Sequence, residues 1–246
     1  MRLLTKLARS YLKRQGYHVP KVKGENSDFT LFKYTAQDGS FDYEKYRSIQ
    51  EEGNKRKITN VWADEKTIAF ISTYLKQRQP NLSRGLCHGV RRGNEQRWFA
   101  EQLGVEVLGT DISQTATQFP NTVQWDFHDT NPDWLGAFDF VYTNSHDHAY
   151  DPKKALEAWI EQLRPGGAVF LEHTMGHTSE ATSELDPFGV DPHIFPYLIA
   201  KWGAGRYAVT EVLEPEHTKP NGLKIWVLVV RRLAYEREIK SNSDKI

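Results

Sequence analysis

The sequence predicts an α/β protein, a doubly wound and mainly parallel sheet with helices on both faces. Three observations lead there. From Asp64 onward, apolar runs of strand length alternate with helical patterns, as crossovers between parallel strands require. The stretch "GLCHGVRRG" at 85–93 sets three glycines four apart between the first such run and a helix, where an open parallel sheet offers its ligand site. The last two runs, "YAVTEVL" and "LKIWVLVV", are joined by a polar turn without a helix, so they form an antiparallel pair at one end of the sheet.

Composition bounds the function. The 246 residues carry 32 basic and 32 acidic side chains, so no global attraction to a polyelectrolyte is implied, and nucleic acid is not the expected partner. A single cysteine, Cys87, excludes an internal disulfide framework and fits a cytoplasmic protein. The longest apolar run, Ile225 to Val230, is far shorter than the roughly twenty residues of a membrane span. At the N-terminus, Leu3, Leu4, Leu7, Tyr11 and Leu12 define a basic amphipathic helix; it packs on the protein itself or touches a membrane surface peripherally.

Taken in order, residues 1–60 read as a helical arm or cap, with "YEKYRSIQEEGNKRK" a short helix ending near Gly53. Asp64 caps a helix whose apolar face is Ile68, Ile71 and Leu75, and Pro80 closes it. A strand then ends at Cys87 or His88, a helix runs from about Asn94 to Leu103, and "VEVLGT" is the second strand. "TVQWD" and "FDFVYTN" follow as strands, "PKKALEAWIEQL" as a helix, and "AVFLEH" as the fifth strand. Residues 175–202 are read as a long connector, the kind of segment that forms lids and binding loops. A polar tail occupies 234–246.

The glycine turn acquires meaning from the acids that follow it. Glycine lets a ligand approach the main chain, and the helix after it offers unpaired amides to an anion. A turn with no ligand uses glycine as well. The second strand, however, ends in Asp111, 22 residues after Gly89, where a carboxylate can accept both hydroxyls of a ribose. The third ends in Asp126, placed to accept from an adenine amino group, with Phe127 beside it as an apolar contact. Together these residues describe a nucleoside site.

From about Asp64 to Arg232 the chain resembles the class I S-adenosylmethionine-dependent methyltransferases. The resemblance rests on "GLCHGVRRG", "VLGTDIS", "VQWDF", "FDFVYTN" with "HDHAYDP", and "LRPGGAVFLEH". It implies a Rossmann-like seven-stranded sheet over a catalytic domain at 61–233 and S-adenosyl-L-methionine as methyl donor. It also implies cofactor contacts at Gly89, Arg91, Gly93, Asp111, Ile112, Asp126, Phe127, Asn144 and His148. The family usually has an acid just before the first glycine, and glycines two apart; here His88 precedes Gly89, and Val90, Arg91 and Arg92 separate it from Gly93. Arg91 or Arg92 can pair the cofactor's carboxylate instead.

Two other readings use the same residues. A nicotinamide-dependent dehydrogenase or epimerase would also use the turn and Asp111, and Tyr150 and Lys154 have the spacing of short-chain dehydrogenases, but Pro152 lies between them. A module that binds a nucleoside without turnover is the other. For methyl transfer to a small-molecule or glycan-type hydroxyl, His146 and His173 are the candidate bases. Five histidines between 146 and 193, with Asp147, Glu172, Asp186 and Asp191, offer metal-ligand types, yet no tight ligand motif appears and no metal is expected. In the arm, Tyr46, Asn54, Arg56 and Lys57 are candidates to reach an anionic acceptor.

Overall fold

The computed structural model describes residues 28–233. The predicted amphipathic N-terminal helix and the polar tail lie outside the described residues. A first strand, β1 (Phe29–Leu31), precedes helix α1 (Tyr43–Arg56), which Asp42 caps by accepting from Lys45 N at 2.9 Å. Helix α2 (Glu65–Arg78) begins at Asp64, whose carboxylate accepts from Thr67 N, and Ile68, Ile71 and Leu75 on its inner face are fully buried.

The sheet is built from β2 (Arg84–His88), β3 (Glu106–Asp111), β4 (Thr122–Gln124), β5 (Phe138–Thr143), β6 (Leu163–Thr174), β8 (Tyr207–Leu213) and β9 (Ile225–Arg232). Its order is β4-β3-β2-β5-β6-β9-β8, with the first five strands parallel and β9 antiparallel to both neighbours. Helix α3 (Asn94–Leu103) links β2 to β3, and α4 (Pro152–Glu161) links β5 to β6. The expected seven-stranded, mainly parallel sheet with an antiparallel final pair is what the chain forms.

Successive side chains of a strand face opposite ways, and this alternation fills two cores. On one face, Phe140 and Tyr142 of β5, Ala168 and Phe170 of β6, and Val227 and Val229 of β9 meet Ile68 and Leu75 of α2 and Phe99 of α3. On the other, Val141, Val169, Leu171 and Leu228 meet Leu156 and Trp159 of α4. Burial on both faces explains why the central strands read as continuous apolar runs.

The connector after β6 holds more regular structure than the sequence suggested. A three-residue strand β7 (Phe188–Val190) pairs antiparallel with β1, Phe29 opposite Val190, and α5 (Phe195–Gly203) follows. Helix α5 adds Leu198 and Ile199 to the second core. The β1–β7 pair, together with a bond from Tyr34 OH to Glu184 O at 2.5 Å, ties the segment before α1 to this connector. Both are therefore drawn over the carboxyl ends of the parallel strands.

Candidate active site

At the end of β2 the backbone amides of Gly89 and Val90 both donate to Thr110 O, at 2.8 and 3.1 Å, which locks the turn against β3. Gly89 has a φ of +71°, and a side chain there would meet Ser145 Cβ at 2.5 Å, so only glycine lets the end of β5 approach this closely. Arg91 takes a left-handed φ of 46°, an uncommon conformation outside glycine, and thereby aims its amide at Asp111 Oδ2, 2.9 Å away. Gly93, with φ +74°, caps α3 without a side-chain hydrogen bond, and the first two residues of that helix, Asn94 and Glu95, line the pocket adjoining the cleft.

Asp111 is 4% exposed. Its Oδ1 accepts from Asn54 Nδ2 at 2.6 Å and from Ser113 N at 2.9 Å. Burial raises its pKa, partly offset by these donors and by Arg91. Asp126 accepts from His128 N at 2.9 Å, pairs with His128 Nδ1 at 2.6 Å, and takes the Tyr43 hydroxyl at 2.9 Å. Burial works to raise this carboxyl, yet the His128 and Tyr43 bonds leave it below its ordinary value.

One face of α1 closes the cleft. Tyr43, Tyr46, Gln50 and Asn54 recur at intervals of three and four, the spacing of neighbours along a helix face. They reach, in turn, Asp126, His148 O, His148 Nδ1 and Asp111. Tyr46 and Asn54 thus both line the cleft, Asn54 on the Asp111 carboxylate, while Lys57 reaches the neighbouring cavity. Arg56 lines neither space. The helical signal in "YEKYRSIQEEGN" marks the element; which face it turns inward depends on the register that folding sets.

Of the residues expected to hold cofactor, Gly89, Arg91, Asp111, Ile112, Asp126, Phe127 and His148 line one cleft. Asn144 lines the adjoining pocket with Arg91, Arg92 and Glu95, and Gly93 shapes the turn without lining either. Arg91 is held by Asn54 and Asn60, through bonds of 3.1 and 3.2 Å. His88, standing where the family has an acid, points into the core: its ring nitrogens meet Thr110 Oγ1 at 2.7 Å and Gln162 Oε1 at 2.9 Å, and it stacks on Trp159. Burial lowers its pKa to about 4. Sequence reasoning missed Glu95, 7% exposed in the first turn of α3, whose carboxyl burial pushes up to about 8.

Beside the cleft opens a cavity of about 550 Å³ that shares Arg91, Ser145 and His148 with it. Asp147, His148, Asp186 and Lys57 give it a polar wall, and Trp62 and Val61 an apolar one. Burial raises the Asp147 carboxyl to about 6. His146 and His173, the candidate bases, are 3% and 0% exposed, bond each other at 3.0 Å, and line neither space. Burial holds both well below the ordinary histidine range.

The site suits S-adenosylmethionine on its own features. Asp111 and Asp126 stand at the ends of adjacent strands with Ile112 and Phe127 beside them, as a ribose and an adenine require. Asn144 Nδ2, buried without a protein partner, and the open amides of α3 suit the carboxylate of the methionine end.

Residues 86–171 match the family model described as a methyltransferase domain. No curated protein matches the chain by sequence. Among solved structures, it is similar to the 1,6-didemethyltoxoflavin-N1-methyltransferase of Burkholderia thailandensis with bound 1,6-didemethyltoxoflavin and S-adenosylhomocysteine, at 16% identity and TM-score 0.59, over 87% of this chain and 98% of that one. It is also similar to the plantazolicin methyltransferase, at 12% identity and TM-score 0.56, over 76% and 96% of the two chains. The mitomycin 7-O-methyltransferase aligns at 13% identity and TM-score 0.53, over 68% of this chain and 53% of that one. At such identities the solved structures speak to the fold, and the family match speaks to the cofactor class. Residues 86–171 are matched as a methyltransferase domain, and the fold is the one that the class I S-adenosylmethionine-dependent methyltransferases share. The methyltransferase-domain match implies S-adenosylmethionine as its cofactor. Among the described residues no helix is long and apolar enough to cross a membrane.

Proposed function

We propose that this methyltransferase acts on a hydroxyl of a small-molecule or glycan-type acceptor held in the cavity beside the cofactor cleft. The cavity carries the reading: its size suits a small acceptor, it joins the cleft at Arg91, Ser145 and His148, and its polar wall includes the proton acceptors Asp147, His148 and Asp186. When bound, the cofactor supplies a methyl group already activated on a sulfonium, so the protein's work is largely alignment.

The chain's residues divide that work. Asp111 takes the ribose hydroxyls and Asp126 the adenine amino group, while the Gly89 turn lets the ligand approach the backbone. Glu95 takes the ammonium of the methionine end, standing in for the acid that His88 replaces. A hydroxyl gives up its proton as the new carbon–oxygen bond forms, and Asp147, His148 and Asp186 are the groups that face it. His146 and His173 lie behind this wall and serve the core.

The test is transfer of tritiated methyl from labelled S-adenosylmethionine to a panel of polyols, sugars and phenols, run beside amines and thiols. Label in hydroxyl-bearing compounds supports the reading. Label confined to amines or thiols contradicts the oxygen direction.

A further inference from the structure

On the polar wall of the cavity, single ligand atoms of Asp147, His148 and Asp186 lie within 4.8 Å of one another. Asp147 and His148 belong to the short 3₁₀ turn after β5, and Asp186 belongs to the connector ahead of β7. His148 Nε2 is 4.0 Å from Asp147 Oδ1 and 3.7 Å from Asp186 Oδ1, too far for hydrogen bonds.

The tautomer of His148 follows from its other side. Gln50 Nε2 donates to Leu185 O at 2.9 Å, so the amide oxygen is what faces His148 Nδ1, at 2.8 Å. Nδ1 therefore carries the hydrogen, and neutral His148 turns the lone pair of Nε2 toward two carboxylates. Asp147, 6% exposed, buries its Oδ1 there without any hydrogen-bond donor. Lys57 on the same wall offsets part of the burial of Asp147, but no donor lies between the three acceptors, and a cation among them would satisfy all three.

We propose that Asp147, His148 and Asp186 form a divalent-cation site on the wall of the acceptor cavity, with its remaining positions open to oxygens of the acceptor. The acceptor's part in this rests on the cavity being where the acceptor binds. Ligands about 2.1 Å from one ion lie about 3.0 Å apart at right angles and about 4.2 Å apart when opposite, which brackets the two separations from His148 Nε2. One imidazole and two carboxylates suit manganese, magnesium or zinc. The bond from His148 Nδ1 to Gln50 is the outer partner that orients a metal-bound histidine.

The buried group of His146, His173 and His177 is a poorer site although its ligand atoms are as close. His146 Nε2 and His173 Nδ1 are spent on each other, and His177 Nδ1 accepts from Thr174 N, which leaves the hydrogen of neutral His177 on Nε2. Three lone pairs do not converge there.

The test titrates metal-free full-length protein with Mn²⁺, followed by loss of the free-ion electron paramagnetic signal, with Mg²⁺ and Zn²⁺ as competitors. Affinity for S-adenosylhomocysteine is measured on the same samples. The expected result is one Mn²⁺ per chain, with affinity reduced at least about tenfold by Asp186→Asn and by Asp147→Asn. Asp186 is partly exposed, so its variant keeps its fold, which circular dichroism checks. Absence of stoichiometric binding by any of the three ions, or binding that survives both substitutions, overturns the site. Loss of metal binding with S-adenosylhomocysteine affinity intact removes the ion and leaves the methyltransferase reading. Metal binding without affinity for S-adenosylhomocysteine does the reverse.

Discussion

Asn54, on α1, donates its amide hydrogen to Asp111 at the tip of β3 across 2.6 Å. A ribose diol needs the same carboxylate, so Asn54 and the cofactor compete for it. A hydrogen bond to a charged group contributes about 1.5–3 kcal/mol net, which makes this competition measurable. Asn54→Ala is expected to tighten S-adenosylhomocysteine binding about tenfold, whereas Asp111→Ala weakens it about a hundredfold. Weakening by Asn54→Ala, read by calorimetry, would show that Asn54 holds the cofactor instead of competing with it.

Glu95 gives the cofactor site a pH signature. Burial holds its carboxyl near 8, so below that pH it must lose a proton before it can pair an ammonium. S-adenosylhomocysteine affinity should rise as pH increases toward 8, by up to about tenfold per unit, and Glu95→Gln should flatten the dependence. Methylthioadenosine carries the ribose and adenine without the amino acid, and its binding should depend on neither the pH nor the substitution. Equal pH dependence for both ligands would assign the effect to another group.

His88 makes stability sensitive to acid. Its folded pKa of about 4 lies below the ordinary 6.5, so the unfolded chain takes up the proton first as pH falls. The stability due to neutral His88 is complete above 6.5 and is lost progressively toward 4. Between pH 7 and pH 5 this costs about 2 kcal/mol. His88→Gln removes that titration, so the gap in unfolding free energy between the native protein and the variant should shift by this amount. A constant gap in urea melts at the two pH values would contradict the burial of a neutral imidazole.

Lys219 carries a buried charge across three segments. It pairs with Glu172 at the end of β6, donates to Trp62 O at 2.9 Å, and meets Asp64 at the cap of α2 at 3.2 Å. Lys219→Met leaves Glu172, 0% exposed, without its counter-charge, at a cost of about 3–5 kcal/mol. The same change frees Trp62 from its backbone anchor on the acceptor cavity. Chemical denaturation checks the first effect; a loss under 1 kcal/mol would mean that water reaches Glu172.

The centre of the sheet was legible because its strands are bounded apolar runs buried on both faces. Helix α3 begins at Asn94 and α4 at Pro152, as glycine and Asp-Pro punctuation indicate. Helix α5 escaped notice because Pro192, Pro196 and Gly203 mark a loop, although Pro196 stands in its first turn, where the missing amide is harmless. The β1–β7 pair joins three-residue segments more than 150 positions apart, and no local pattern encodes it. Strand order likewise located Asp111 and Asp126. The polar wall was less accessible: among five neighbouring histidines, only folding shows that His148 faces the cavity while His146 and His173 face the core.

Calorimetric titration with S-adenosylmethionine, S-adenosylhomocysteine and NAD, repeated on Asp111→Ala, tests the cofactor assignment. Micromolar binding of both sulfur ligands, its loss in the variant, and no heat with NAD are the expected results. Binding of NAD in place of the sulfur ligands, or affinity for them that survives Asp111→Ala, would contradict that assignment.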